Sequence, residues 1–332
     1  MTRILIVRIG SLGDVIHGLP AAAALRERFP DAQIDWLSDP RYVELLALVP
    51  VVNRVLPVDT RRSGAMLATV RELRRARYDA AIDLQGLLKS ALLARASAAR
   101  RTLGFSARHL REPAARWFYT ETHDPGEARH VIDRNLVLAA ALGARAPRIP
   151  FPLQVPSSVV ADRLASAAGV DGFALLNPGA AWPNKRWPPA RFGALAASLR
   201  DRYAMRSQVL WGPGEEALAA AVAAASAGAA DVVPATTIRD LVAIAARARL
   251  MVSGDTGPLH VAGAVGTPIV ALFGPTWPER NGPWSAADVT LSRNGECVCH
   301  YERRCRRARA CIEDIGVDEV LAAVERRVGA HG

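Results

Sequence analysis

Pro147-Arg148-Ile149-Pro150-Phe151-Pro152 lies near the middle of a 332-residue chain. Three prolines in so short a stretch cannot continue a helix or a central strand, because proline lacks the backbone N–H and its ring clashes with the preceding turn. Alternating strand and helix patterns run up to this stretch and restart after it, so it reads as a linker. Upstream, Ile4–Ile9 is an apolar run, followed by a glycine turn and a helical pattern through Arg28. Strand patterns recur at Ile34–Leu37, Val52–Val58, Tyr78–Asp83 and Arg101–Phe105. Helical spacing covers Met66–Ala76, Leu87–Ala98 and His130–Leu142, the last closed by Gly143 as a C-cap. Downstream, strands at Phe173–Leu176, Gln208–Trp211, Asp231–Val233, Leu250–Ser253 and Pro268–Phe273 alternate with helices at Pro188–Arg200, Glu215–Ala225, Ile238–Ala248 and Pro258–Val265. A last helix is expected at Val317–Val328. Repeated βα units imply a parallel, doubly wound sheet. Two such series imply an α/β chain of two Rossmann-like domains facing a cleft, residues 1–150 and 151–332.

Hydrophobic residues make up 50% and charged residues 22%, which excludes a disordered, collagen-like or coiled-coil chain. No apolar run reaches the ~18 residues of a membrane-spanning helix. Met1–Arg8 reads as a first β-strand and not as a secretory signal, so a cytosolic protein is expected. The formal charge is +10, from 42 Lys and Arg against 32 Asp and Glu. An arginine-rich coding bias explains that surplus, and so does attraction to nucleic acid, a phospholipid surface or a phosphorylated substrate. No zinc-finger, RNA-recognition or homeodomain signature accompanies the charge, so nucleic acid is the weaker choice. Cys297, Cys299, Cys305 and Cys311 do not form a disulfide framework for a chain this long. Their C-x-C-x₅-C-x₅-C spacing fits zinc pairs poorly, which favours reduced thiols in a surface segment over a structural metal.

Ligands of open α/β sheets bind beyond the C-terminal ends of the strands. Gly10-Ser11-Leu12-Gly13-Asp14 ends the first strand and is neither a dinucleotide fingerprint nor a Walker loop. Its glycines permit a tight turn. Asp14 then stands at a helix start, as an N-cap or as a general base facing the cleft; the turn alone favours the cap. Ser253-Gly254-Asp255-Thr256-Gly257-Pro258-Leu259-His260 opens another helix, whose free N–H groups and positive dipole end suit a phosphate. Asp255 would repel that phosphate and is better suited to a hydroxyl or a backbone amine. His260 falls one turn into the helix, on the side of Thr256. The loop from Asn177 to Pro188 carries Lys185-Arg186 beside a helix start, a pair suited to a diphosphate, and Trp182 and Trp187 flank it. Glu215, after Trp211-Gly212, either accepts from ribose hydroxyls or complements a helix dipole.

Read together, these residues resemble the ADP-heptose:lipopolysaccharide heptosyltransferases. The likeness rests on Ile4–Arg8 with Ser11–His17, Asp83-Leu84-Gln85-Gly86-Leu87-Leu88-Lys89-Ser90, Arg111-Glu112-Pro113, Lys185-Arg186-Trp187-Pro188, Ser253–His260 and Gly274-Pro275-Thr276. The Gln-Gly-Leu-Leu-Lys-Ser and Arg-Glu-Pro pieces are most similar to heptosyltransferase I, which adds the first heptose to the Kdo-lipid A inner core. Ala180-Ala181, where that enzyme often has two threonines, and the cysteine stretch depart from its pattern.

The resemblance implies a glycosyltransferase-B architecture with an N-terminal acceptor domain and a C-terminal donor domain. It implies an inverting, metal-independent transfer of heptose from ADP-L-glycero-D-manno-heptose, with no cofactor, since ADP-heptose is a substrate. Asp14 falls on the general base and Lys185 on the phosphate-binding lysine. Gly13, Ala180, Ala181, Lys185, Glu215, Thr236, Asp255, Thr256, Gly257 and His260 fall on the donor side. Ser11, Arg61, Arg62, Lys89 and Arg111 are the acceptor candidates. The implied partners are ADP-heptose and an anionic glycolipid, met in the cytoplasm by peripheral contact with the inner membrane, without nucleic acid. The rival readings are a family member with another glycan or protein acceptor, a nucleotide-sugar epimerase of the same fold, and a basic nucleic-acid-binding protein.

Overall fold

A computed structural model of the protein describes residues 1–60 and 63–329. It divides into two compact units, Met1–Gln154 and Val155–Gly332. The Pro-rich stretch carries no helix or strand. Gln154 N–H donates to Leu48 O at 2.9 Å, which ties the end of that stretch to the first unit.

The first unit runs β1 (Arg3–Val7), α1 (Leu12–Arg28), β2 (Gln33–Ser38), α2 (Val43–Leu46), β3 (Arg54–Pro57), α3 (Ser63–Ala76), β4 (Ala80–Asp83), α4 (Leu88–Ala96), β5 (Arg101–Phe105), β6 (Glu121–His123) and α5 (Val131–Ala140). Its six strands are all parallel, in the order β3-β2-β1-β4-β5-β6. β1 is central, and Ile4, Leu5, Ile6 and Val7 have no exposed surface, as expected for a parallel strand covered on both faces.

The second unit runs α6 (Val159–Ala168), β7 (Phe173–Asn177), α7 (Pro189–Tyr203), β8 (Arg206–Val209), α8 (Glu216–Ala224), β9 (Ala230–Val232), α9 (Ile238–Arg247), β10 (Leu250–Gly254), α10 (Gly257–Ala264), β11 (Ile269–Phe273), α11 (Pro278–Asn281), β12 (Val289–Ser292) and α12 (Val317–Gly329). Its order, β12-β11-β10-β7-β8-β9, repeats the permutation of the first sheet, again all parallel. Both units are thus Rossmann-like, and the α/β expectation holds. In each sheet the strand order reverses at one place, between β1 and β4 and between β7 and β10. The loops that leave those four strands are where such sheets bind ligands.

The loop after β7 is anchored from below. Trp187 is buried, meets Phe192 edge-on at 4.9 Å, and donates its Nε1 proton to Ile315 O at 2.9 Å. The aromatic side chain therefore fixes where Lys185, two residues earlier, leaves the core. The helix after this loop starts at Pro189. The strand expected through Trp211 ends at Val209, and the Trp211 indole turns to donate to Val233 O at 2.6 Å.

Candidate active site

At the β1/β4 crossing point the turn Arg8–Ser11 leads into α1. Ser11, not Asp14, is the N-cap residue of α1; Asp14 is the third helical residue. This corrects the simple cap reading: the Asp14 carboxylate reaches back, and its Oδ2 accepts from Ser11 N at 2.9 Å and from Ser11 Oγ at 3.0 Å. That contact satisfies a first-turn N–H group that has no helical partner. Oδ1 is paired with the Arg8 guanidinium. The Arg8 side chain is 7% exposed and that of Asp14 is 37% exposed, so the cation is the buried member and the carboxylate reaches solvent. Partial desolvation raises the Asp14 pKa, but the Arg8 charge and the Ser11 hydrogen bonds lower it by more, leaving it below the ordinary carboxylate value. Arg8 also donates to Leu84 O, so the loop that leaves β4 helps hold the pair. Arg8 carried no assignment in the sequence. Its signal was a charge inside an otherwise apolar strand run.

The loop after β4 is organised by Asp83, which is wholly buried. It accepts from Gln85 N at 2.9 Å, Gly86 N at 3.2 Å, Ser90 Oγ at 2.9 Å and the Tyr119 hydroxyl at 2.7 Å. Burial pushes its carboxyl pKa up in spite of these bonds. Glu112 Oε2 accepts from Leu88 N at 2.7 Å, a carboxylate at the N-terminus of α4. The motifs at residues 83–90 and 111–113 are therefore one structure, although they lie apart in sequence. Lys89 and Arg111 stand on it, exposed. Neither pairs with any described residue. Gly13 is buried within α1 and Ser11 is exposed. Arg61 and Arg62 lie outside the described residues.

At the β7/β10 crossing point, Lys185 Nζ donates to Asp255 Oδ2 at 2.6 Å and sits 4.7 Å from the centre of the Trp182 ring. Asp255 also accepts from Thr276 Oγ1 at 2.8 Å, and His260 Nε2 lies 3.3 Å from its other oxygen. Burial alone would raise the Asp255 pKa; the His260 hydrogen bond and the Lys185 charge prevail and hold it far below the ordinary value. Side-chain exposures of 15% for Lys185 and 5% for Asp255 make the cation the outer member here. Thr256 caps α10 and Gly257 begins it. Asn177 Nδ2 reaches Ser253 Oγ and Thr256 Oγ1, both at 3.0 Å, and so ties β7 to the β10 loop. Gly254 is required there: a Cβ would stand 2.6 Å from Lys185 O.

Glu215 precedes α8 and accepts from Gly212 N at 3.2 Å; Arg186 stands 3.8 Å from it and donates to Ala180 O at 2.9 Å. A Cβ on Gly179 would lie 2.0 Å from the Glu215 carboxylate, so any larger residue there must push this acid aside. Ala180 is buried and Ala181 exposed. Thr236 is half-buried in the segment between β9 and α9. These residues lie at or beyond the C-terminal ends of β7, β8, β9, β10 and β11.

The cysteine segment differs from the expected surface thiols. Cys297, Cys299 and Cys311 are buried together, Cys305 packs against them, and the Cys297 and Cys299 sulfurs are 3.5 Å apart. Burial pushes the Cys311 thiol pKa well up, which keeps it protonated. Among the described residues no group of three or more His, Cys, Asp or Glu has a geometry that could hold a metal ion.

A family model described as glycosyltransferase family 9 (heptosyltransferase) matches residues 66–310. The chain belongs to this family of glycosyltransferases. It is 32% identical to lipopolysaccharide heptosyltransferase 1 of Pseudomonas aeruginosa, over 91% of this chain and 87% of that one. Identity to lipopolysaccharide heptosyltransferase 1 of Escherichia coli K12 is 30%, over 83% of this chain and 89% of the other. The structure of E. coli heptosyltransferase WaaC with ADP-2-deoxy-2-fluoro heptose aligns with a TM-score of 0.76 at 26% identity, covering 98% of this chain and 99% of that chain. A glycosyl transferase family 9 structure from Veillonella parvula shares the fold, with a TM-score of 0.84 at 23% identity over 99% and 98% of the two chains. The protein is thus an enzyme of the heptosyltransferase family.

Proposed function

We propose that this enzyme transfers heptose from ADP-L-glycero-D-manno-heptose to the Kdo-lipid A inner core of lipopolysaccharide, with inversion at the anomeric carbon and without a metal. The observation that carries the reading is the Asp14 carboxylate, kept ionised by buried Arg8 yet open to solvent. The relatives named lipopolysaccharide heptosyltransferase 1 and the WaaC complex support the donor and the acceptor class.

In this mechanism Asp14 takes the proton of an acceptor hydroxyl. The freed oxygen pair attacks the anomeric carbon from the face opposite ADP. The carbon–oxygen bond to the diphosphate breaks, and its electrons leave on the phosphate oxygen. Lys185 and the N–H groups at the start of α10 meet that charge. Asp255, His260 and Thr276 hold Lys185 in place. Gly13, Ala180, Ala181, Thr236, Thr256 and Gly257 line the donor, and Glu215 accepts from its ribose. Ser11, Lys89 and Arg111, with Arg61 and Arg62, bind the anionic acceptor. The enzyme works in the cytoplasm, at the inner face of the inner membrane. In this reading the contact is peripheral; among the described residues no helix is long and apolar enough to cross a membrane.

Purified enzyme, ADP-heptose and Kdo-lipid A should give a product heavier by one heptose in mass spectrometry, at full rate in EDTA. No heptose on Kdo-lipid A, with heptose on another acceptor instead, would replace the acceptor. A rate lost in EDTA and restored by Mg²⁺ would replace the metal-free mechanism.

A further inference from the structure

We propose that the exposed surface formed by α4 and residues 111–117 docks the first unit on an anionic lipid bilayer. The proposal deepens the reading above, because it rests on an acceptor held in a membrane. The α4 sequence has two faces. Ser90, Ala91, Leu93 and Ala94 are buried against the unit. On the opposite face Leu88 and Leu92 are 37% and 48% exposed, and at ~100° per residue they stand within about 40° of each other around the helix. Lys89 and Arg95, both exposed, flank them on either side. Such an apolar stripe with cationic margins faces water at a cost unless something covers it.

The neighbouring segment extends the surface. Residues 113–118 pack against α4, and the Glu112 bond to Leu88 N locks the two together. Trp117 is 73% exposed, the largest fraction among the aromatic residues described as exposed, and the Arg116 guanidinium stacks on its ring at 3.8 Å. Lys89, Arg95, Arg111 and Arg116 pair with no described carboxylate. Glu112, the acid beside them, is engaged by a helix N-terminus. The surface therefore combines an indole and two leucines with uncompensated positive charge. Tryptophan favours the headgroup level of a bilayer, and each nearby Lys or Arg is drawn to anionic lipid. Lys89 and Arg111 belong to the same structure, so docking would bring the acceptor contacts to the lipid headgroups.

The test is co-sedimentation with vesicles of phosphatidylcholine, alone or mixed with phosphatidylglycerol. The intact enzyme should bind the mixed vesicles at least about tenfold more tightly, and added salt should weaken the binding. Two double variants remove the two components: Trp117→Ser with Leu92→Ser, and Arg95→Glu with Arg116→Glu. Each should lose at least about tenfold in vesicle binding with an unchanged melting temperature. Each should keep transfer to a deacylated, water-soluble acceptor and lose transfer to the vesicle-held one. Equal binding to both vesicle types, wild-type binding by either variant, or a preference for RNA that the variants abolish would overturn the proposal. An intact enzyme that binds neither vesicle type yet transfers normally to the soluble acceptor would remove this surface and leave the function intact. Variant-sensitive vesicle binding without transfer to any acceptor would support the surface and remove the function.

Discussion

Both sheets place an ion pair where their strand order reverses, but the two pairs face opposite ways. In the first unit arginine is the buried member, at 7% exposure, and the aspartate is 37% exposed. In the second unit the aspartate is the deeper member, at 5%, and the lysine at 15% lies outside it. One fold, with one strand permutation, thus offers a carboxylate at one crossing point and an ammonium at the other. The buried partner decides what the outer group can do. Arg8 keeps Asp14 ionised and able to take a proton. Asp255, itself held by Thr276 and His260, directs Lys185 by a short bond. In the proposed reaction it is this order of cation and anion, from core to solvent, that separates the base from the phosphate contact.

Four changes should break or sharpen this contrast. The largest effect is expected from Asp14→Asn. It should lower kcat by ~10² or more, the usual worth of a general base. Asn keeps an acceptor for Ser11 but leaves the buried Arg8 charge unpaired, so the melting temperature should fall by a few degrees with the fold retained, and near-normal kcat would remove Asp14 from the chemistry.

Gly179→Ala comes next. The added methyl must displace the Glu215 carboxylate, so ADP binding measured by calorimetry should weaken by about tenfold, as when a charged hydrogen-bond partner is lost. Unchanged affinity would show that Glu215 does not touch the donor.

Arg8→Gln should act through pH. With the Asp14 pKa below the ordinary carboxylate value of about 4, kcat/KM should stay flat from neutral pH down to that region. Without the Arg8 charge, burial prevails and the acid limb should move to higher pH. The stability has the matching sign. A depressed native pKa contributes stability above the unfolded value, and this is lost as pH falls through the native pKa. The variant should therefore lose less stability than the wild type on acidification. An acid limb that does not move would mean that Arg8 does not set the protonation of Asp14.

The smallest effect on rate is expected from Cys297→Ser with Cys299→Ser. These thiols belong to a buried cluster away from both ion pairs in sequence, so the melting temperature should drop by a few degrees while kcat in EDTA stays the same. A loss of kcat at constant stability would tie the cluster to the reaction.

The central strands were legible because each is a continuous apolar run: β1, β10 and β11 are buried over nearly their whole length. β6 and β12 were not expected. Both are sheet edges: one is only Glu-Thr-His, and the other, Val-Thr-Leu-Ser, alternates over just four residues and is half-buried throughout, so the signal in each is short. α6 was also missed, since Pro156 stands only three residues before Val159 and extends the proline-rich stretch up to its Ser158 cap. At the site, sequence spacing placed Asp14 at a helix start but could not show Arg8 beneath it. It matched Lys185 and Asp255 to two motifs 70 residues apart, and only the β7–β10 pairing shows that they touch. Asp255 read as a group for a hydroxyl or a backbone amine; it takes the Thr276 hydroxyl, but its other partners are the side chains of Lys185 and His260, which spacing alone did not bring to it.

The most direct measurement is calorimetric titration of ADP into Asp14→Asn and Lys185→Gln side by side. Gln keeps a donor for Asp255, so the second variant loses the charge and not the fold. The inverted pairs predict that Asp14→Asn binds ADP within about twofold of the wild type. They also predict that Lys185→Gln binds at least about tenfold more weakly, the loss of a charge-assisted contact to phosphate. Equal losses in both variants, or the larger loss in Asp14→Asn, would contradict the division of roles between the two crossing points.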